Sequence, residues 1–311
     1  MKKLFGVITA MTTPFDSEHR VDYEAIKEQV EFLISKGVNC LYPCGTTGEM
    51  YFLSDEEREQ IAETVVRQAA KRVTVFIHTG AMCQDSVIRL SRHAYKIGAD
   101  GIGVVTPSYF GCKDEALLRY YVEICDALPD DFPVYTYVIP QLAKNDISVP
   151  LMERIAHACP QVVGVKYSFP DFRRISQYLT VRNGDFSVVV GADDFFFPAL
   201  MMGCDGTVSG CSGPMPEAFV AVYKYFLKGD YDRARRAQFI TNQHCQFLKY
   251  GGDLSIFKNI LTLRGVPGGA VRRPLLDLSA AEVADLKIQL DKFLMNNDVV
   301  FRERREANKS N

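Results

Sequence analysis

Eight short apolar runs recur along the chain, at 6–11, 39–42, 73–78, 101–106, 133–138, 162–166, 187–191 and 206–209, and longer amphipathic stretches separate them. Runs this short and rich in Val and Ile read as strands buried on both faces. The stretch 23–36 places Ile26, Val30, Phe32, Leu33 and Ile34 on one side of a 3.6-residue period and its charges on the other, which reads as a helix. Strand and helix in strict alternation demand a parallel sheet, because parallel neighbours can be joined only by a crossover. Eight such units in about 225 residues close naturally into a (β/α)8 TIM barrel, whose active site lies at the C-terminal ends of its strands.

Ser54-Asp55-Glu56-Glu57 has the form of a capping box and sets a helix start after the second strand. From about residue 216 the pattern is helical, with candidates at 231–249, 254–264 and 279–295 separated by glycine-rich breaks. We therefore divide the chain into a barrel domain, 1–225, and a C-terminal helical appendage, 226–311. The stretch 301–306 has no apolar face and is expected to fray or to meet a partner.

A formal net charge of -2 lacks the basic excess that phosphate backbones require, so nucleic acid is not an expected partner. No apolar stretch approaches the roughly 20 residues of a membrane span, and the first residues run straight into a strand pattern, so a membrane is not expected either. The nine cysteines are scattered without a CxxC pair. That spacing argues against a disulfide framework and a zinc site, and a reducing cytoplasm is the expected compartment. Cys40 and Cys44 come nearest to a metal spacing, but no second pair completes four ligands. No metal and no cofactor is expected.

Two reactive side chains end consecutive strands, Tyr137 the fifth and Lys166 the sixth. A lysine desolvated at a strand end can present the neutral amine that attacks a ketone carbon, and a tyrosine beside it can carry protons. A solvent-facing lysine after a strand would look the same in isolation. After the second strand, Gly45-Thr46-Thr47-Gly48-Glu49 has flanking glycines that free the backbone to turn its N-H groups and two hydroxyls toward a carboxylate. An ordinary glycine turn is the competing reading. His78 ends the third strand and is read as a satisfied strand-end histidine, while Cys44 and Cys211 near strand ends are read as buried packing.

Taken together, the motifs at 10–15 (AMTTPF), 45–49 (GTTGE), 53–58 (LSDEER), 106–110 (TPSYF), 137–140 (YVIP), 164–166 (GVK), 191–194 (GADD) and 203–206 (GCDG) resemble the dihydrodipicolinate synthase and N-acetylneuraminate lyase family of pyruvate-dependent class I aldolases. Order and spacing hold to residue 275. The resemblance implies a barrel with a C-terminal helical region, assembled as a homotetramer of two tight dimers. It implies that Lys166 forms an imine with the keto carbon of pyruvate or another 2-keto acid, that Tyr137 moves protons, and that Thr46 and Thr47 hold the pyruvyl carboxylate, Thr47 also bonding to Tyr137. Tyr109 would complete a proton relay in the neighbouring subunit. The carbonyl of Val208 would contact pyruvate, and Ser168, Gly191, Asp193 and Asp194 would line the rest of the substrate.

Two departures bear on substrate. Val138 replaces the asparagine of the family's Tyr-Asn-x-Pro, and Leu142 stands where the lysine-pathway synthases carry an arginine for the carboxylate of their aldehyde. Leucine cannot make that charge-assisted pair. The expected function is thus a Schiff-base lyase that reversibly cleaves a hydroxylated 2-keto acid, of the N-acetylneuraminate or 2-keto-3-deoxy sugar acid type, to pyruvate and an aldehyde. A 4-hydroxy-tetrahydrodipicolinate synthase, a sugar-acid dehydratase and a non-catalytic keto-acid-binding barrel are the alternatives.

Overall fold

The computed structural model describes residues 1–296. Strands β1 (Gly6–Ala10), β2 (Cys40–Tyr42), β3 (Thr74–His78), β4 (Gly101–Val105), β5 (Val134–Val138), β6 (Val162–Tyr167), β7 (Ser187–Val190) and β8 (Gly206–Ser209) lie in sequence order. Every neighbouring pair is parallel, and β1 pairs with β8 to close the barrel. The expected (β/α)8 architecture is the observed one, and each strand falls within a residue of its expected start.

The helices are α1 (Tyr23–Lys36), α2 (Asp55–Ala69), α3 (Gln84–Lys96), α4 (Asp114–Cys125), the one-turn α5 (Pro140–Ala143), α6 (Val149–Ala158), α7 (Phe172–Tyr178), α8 (Phe196–Met202), α9 (Pro216–Leu227), α10 (Tyr231–Phe247), α11 (Leu254–Leu263) and α12 (Ala280–Asn296). Their ends follow the local chemistry. Asp22 caps α1 by accepting from the Ala25 N-H, and Gly37 stops it in the left-handed conformation (φ 82°) that costs glycine least. The Ser54 hydroxyl and the Glu57 carboxylate make the expected reciprocal capping box of α2. The stretch 301–306 lies outside the described residues.

Apolar side chains pack in three zones. Ile8, Tyr42, Phe76, Tyr135, Val163, Val189 and Val208 fill the barrel interior. A larger cluster, including Val7, Leu41, Val104, Val165 and Val188, faces the helices. Met50, Val105, Tyr137, Ile139 and Ala143 pack together at the C-terminal strand ends. Strand alternation explains the first two zones, because successive residues point to opposite faces.

Buried charge ties the C-terminal helices to the barrel. Glu217 on α9 accepts from Arg264 at 2.5 Å and from Lys36 on α1 at 2.9 Å. Burial alone would raise its carboxyl, but the charges and hydrogen bonds of Arg264 and Lys36 hold it down at about 2.

Candidate active site

Tyr137 and Lys166 are register partners on β5 and β6, so the ladder itself sets them side by side at the barrel mouth. Both are buried, with 2% and 5% of their surface exposed. The Lys166 Nζ lies 3.8 Å from the centre of the Tyr137 ring and 5.0 Å from that of Tyr42. An amine held against two aromatic faces is shielded from bulk water yet favourably placed by the ring quadrupoles.

Beside Tyr137 lies His78, which the sequence reads as a satisfied strand-end histidine and which the structure leaves satisfied on one nitrogen only. The Nδ1 of His78 is 3.0 Å from the Cys44 carbonyl, an oxygen that can only accept, so Nδ1 carries the proton and Nε2 is a bare acceptor. Burial holds His78 well below its ordinary pKa, with the charges of Arg58 and Lys166 adding to the effect. Arg58, on α2, donates from Nη2 to the His78 carbonyl at 2.8 Å. The His78 ring meets Tyr137 edge-on at 5.7 Å and lies 6.0 Å from Tyr42. Among the described residues neither the buried His78 Nε2 nor the buried Tyr42 hydroxyl has a hydrogen-bond partner. That hydroxyl fits only because β4 carries Gly103: a Cβ there would lie 1.8 Å from it.

The GTTGE loop leaves Thr46 exposed and Thr47 half-buried at the mouth. Among the described residues no hydrogen bond joins Thr47 to Tyr137. Across the mouth Gly210, just after β8, allows the loop to approach, since a Cβ on it would be 2.7 Å from the Thr47 Oγ1. The loop is anchored by Glu49, which adopts a left-handed backbone (φ 59°). Its two carboxylate oxygens accept from the Lys258 Nζ at 2.5 Å and from the Arg272 N-H at 2.8 Å.

The other expected residues are dispersed. Val208 is interior packing on β8. Ser168 follows β6 and packs against Gly191, where a Cβ would be 1.9 Å from the Ser168 Oγ, so the glycine makes room for the hydroxyl. Asp193 and Asp194 lie in a single 3-10 turn after β7. The Asp193 carboxylate turns toward Cys245 on α10, whose thiol donates to it at 3.6 Å, and burial pushes its pKa up to about 6. Asp193, Cys211 and Cys245 bring potential ligand atoms within 4.8 Å of one another, a grouping invisible in sequence spacing. Tyr109 is 70% exposed with a left-handed backbone (φ 74°), its ring set edge-on to Phe110 and remote from burial.

Comparisons with known proteins bear on the family and the fold. The model of the dihydrodipicolinate synthetase family matches residues 3–292. The chain belongs to that family. A 4-hydroxy-tetrahydrodipicolinate synthase of Methanosphaerula palustris is 30% identical over 284 residues, covering 90% of this chain and 96% of that relative. The crystal structure of dihydrodipicolinate synthase from Aquifex aeolicus superposes with a TM-score of 0.87 at 31% identity, covering 93% of this chain and 98% of the other. N-acetylneuraminate lyase from Mycoplasma synoviae gives 0.85 at 25% identity, covering 93% and 98%. Members of the family are pyruvate-dependent aldolases and lyases that act on small molecules. No helix among the described residues is long and apolar enough to cross a membrane.

Proposed function

We propose that this family member is a class I lyase that cleaves a hydroxylated 2-keto acid to pyruvate and an aldehyde through an imine on Lys166. One observation carries the reading: a buried amine, 3.8 Å from the centre of a buried phenol ring, on adjacent strand ends of a closed barrel. In the forward step Lys166 replaces the C2 keto oxygen, which leaves as water. The C4 hydroxyl gives up its proton, with Tyr137 as the shuttle, and the C3-C4 bond breaks with its electron pair drawn toward the imine nitrogen. Aldehyde leaves, the enamine takes a proton at C3, and water returns pyruvate and the free lysine. The N-H groups and hydroxyls of Thr46 and Thr47 hold the C1 carboxylate, and the Val208 carbonyl borders the keto-acid end. No cofactor enters these steps.

Ser168, Gly191 and Asp194 on the β6–β7 side are the groups that support a sugar-acid tail, while the Asp193 carboxylate faces Cys245. The names of the relatives favour a second reading, the synthase that condenses pyruvate with aspartate semialdehyde. Leu142, 63% exposed and uncharged, offers no partner to the semialdehyde carboxylate. In either reading we propose a homotetramer of two tight dimers in which Tyr109 of the partner subunit reaches the relay.

Borohydride reduction in the presence of pyruvate tests the chemistry. A mass increase confined to Lys166 and lost in Lys166→Ala is expected; no adduct on the parent protein refutes the imine. Pyruvate release from N-acetylneuraminate, 2-keto-3-deoxygluconate and 2-keto-3-deoxygalactonate, set against consumption with aspartate semialdehyde, ranks the substrates.

A further inference from the structure

Three side chains able to hold a metal meet where the barrel joins its C-terminal helices. Asp193 stands in the 3-10 turn after β7, Cys211 lies just beyond β8, and Cys245 is near the end of α10. One ligand atom from each lies within 4.8 Å of the other two. Both cysteines are buried, and the Cys245 Sγ is 3.6 Å from the Asp193 Oδ2. The other carboxylate oxygen, Oδ1, is buried too, and among the described residues it has no hydrogen-bond partner. Gln238, two turns before Cys245 and so on the same face of α10, fixes the arrangement. Its Nε2 donates to the Asp193 carbonyl at 2.9 Å, and its Oε1 accepts from the Phe197 N-H at 2.7 Å.

We propose that Asp193, Cys211 and Cys245 form a binding site for a zinc ion, which ties the turn after β7 and the loop after β8 to α10. Packing accounts for two buried thiols. It does not account for a carboxylate brought to them with one oxygen held out of water and unpaired, an arrangement that costs free energy until a cation meets it. The donor set selects the ion, because thiolate sulfur suits zinc whereas magnesium and calcium take oxygen. Tetrahedral zinc, with sulfur at about 2.3 Å and oxygen at about 2.1 Å, sets a sulfur and an oxygen about 3.6 Å apart and two sulfurs about 3.8 Å apart. The Cys245–Asp193 separation already has that value. The remaining separations, 4.8 Å at most, need close by only about 1 Å. The Ser209 side chain also reaches this carboxylate, so the fourth position falls to its hydroxyl or to water.

The hydrogen bond with Cys211 and burial hold the Cys245 thiol well above its ordinary range, so without the ion it is neutral. On binding, zinc takes the place of the two thiol protons, which leave to solvent, and two thiolates with one carboxylate set three negative charges against two positive. No step of the aldol chemistry passes through the ion. Its effect is to hold the mouth in shape, since Cys211 adjoins Gly210 and Gly210 lies against the Thr47 side chain.

The test uses the full chain, reduced and stripped with a chelator, titrated with zinc against a chromophoric competitor and with cobalt(II) for its spectrum. We expect one zinc per chain and, at free zinc about 100-fold above its Kd, a rise in melting temperature of at least about 5 °C. The cobalt form should show a thiolate-to-metal charge-transfer band. Cys211→Ser and Cys245→Ser are each expected to lose the melting-temperature rise, Asp193→Asn to weaken zinc by at least about tenfold, and Cys83→Ser, at an exposed thiol, to bind as the parent does. The parent alone can refute the site: no zinc uptake by the reduced chain, or a cobalt spectrum without the thiolate band, overturns it whatever the variants do. Parent-like zinc affinity in Cys245→Ser or Asp193→Asn, or its loss in Cys83→Ser, also overturns it.

Discussion

Replacing Lys258 by methionine tests what holds the GTTGE loop in place. Lys258 projects from α11 into the protein with no side-chain exposure, and its Nζ donates to the Glu49 carboxylate at 2.5 Å and to the Ala270 carbonyl at 2.6 Å. Burial pulls the amine below its ordinary pKa, and the charge and hydrogen bond of Glu49 oppose that shift. Methionine keeps the length and most of the volume, so little of the effect comes from an empty space. What it leaves is a carboxylate with no exposed surface and no cation, a change that costs about 3–5 kcal/mol. At about 2 °C per kcal/mol for a large domain, the melting temperature falls by about 6–10 °C. Adding Glu49→Gln removes the stranded charge while an amide oxygen can still accept from the Arg272 N-H. The double variant is therefore expected within about 2 kcal/mol of the parent. Urea unfolding of parent, both single variants and the double closes the cycle. A Lys258→Met loss under about 1 kcal/mol, or a double variant no more stable than Lys258→Met, refutes the account. Because only Gly48 separates Glu49 from the Thr46-Thr47 pair, Lys258→Met is also expected to weaken pyruvate binding.

Acid should act through Glu217 and the buried histidines. With its folded pKa held near 2, below the ordinary value of 4.5, Glu217 contributes stability that is present above pH 4.5 and lost as pH falls toward 2. His244, held down to about 4 chiefly by burial, contributes stability that is present above pH 6.5 and lost as pH falls toward 4. Denaturation at stepped pH should show the lower limb flattened in Glu217→Gln; an unchanged limb argues against the pairing with Arg264 and Lys36. Tyr42→Phe deletes a buried hydroxyl without a partner and keeps the ring beside Lys166, so stability should hold or rise by about 1 kcal/mol, and a loss above that means the hydroxyl has a partner. Gly210→Ala puts a methyl 2.7 Å from the Thr47 Oγ1, which should cost about 1–3 kcal/mol and lower the fraction of Lys166 trapped with pyruvate; full trapping would place Thr47 outside the carboxylate site.

How far the sequence carries depends on whether a property is local. Strand and helix positions are local, set by a period of 2 or 3.6 and by caps such as Ser54, and they appear in the fold within a residue or two. Tyr137 and Lys166 were legible for the same reason: each lies one residue from the end of its strand, and parallel register then makes them neighbours. The Glu49–Lys258 clamp spans 209 residues, and nothing in the helical pattern of α11 separates an inward lysine from the solvated ones around it. His78 read as a satisfied strand-end residue because spacing is silent on the far side of a ring. Only the placement of Cys44 and Tyr42 shows that one nitrogen is bonded and the other is bare. Asp193 illustrates the opposite failure, a residue whose neighbours in sequence suggest the mouth while its carboxylate meets a thiol from α10. Leu142 lies between these cases. Its identity alone argued only against an acidic partner, and the apolar walls around it are drawn from stretches of chain that no local pattern brings together. Side-chain chemistry at a strand end can be read locally, but the shape of the space it faces is assembled from residues far apart in the chain, and specificity belongs to that space.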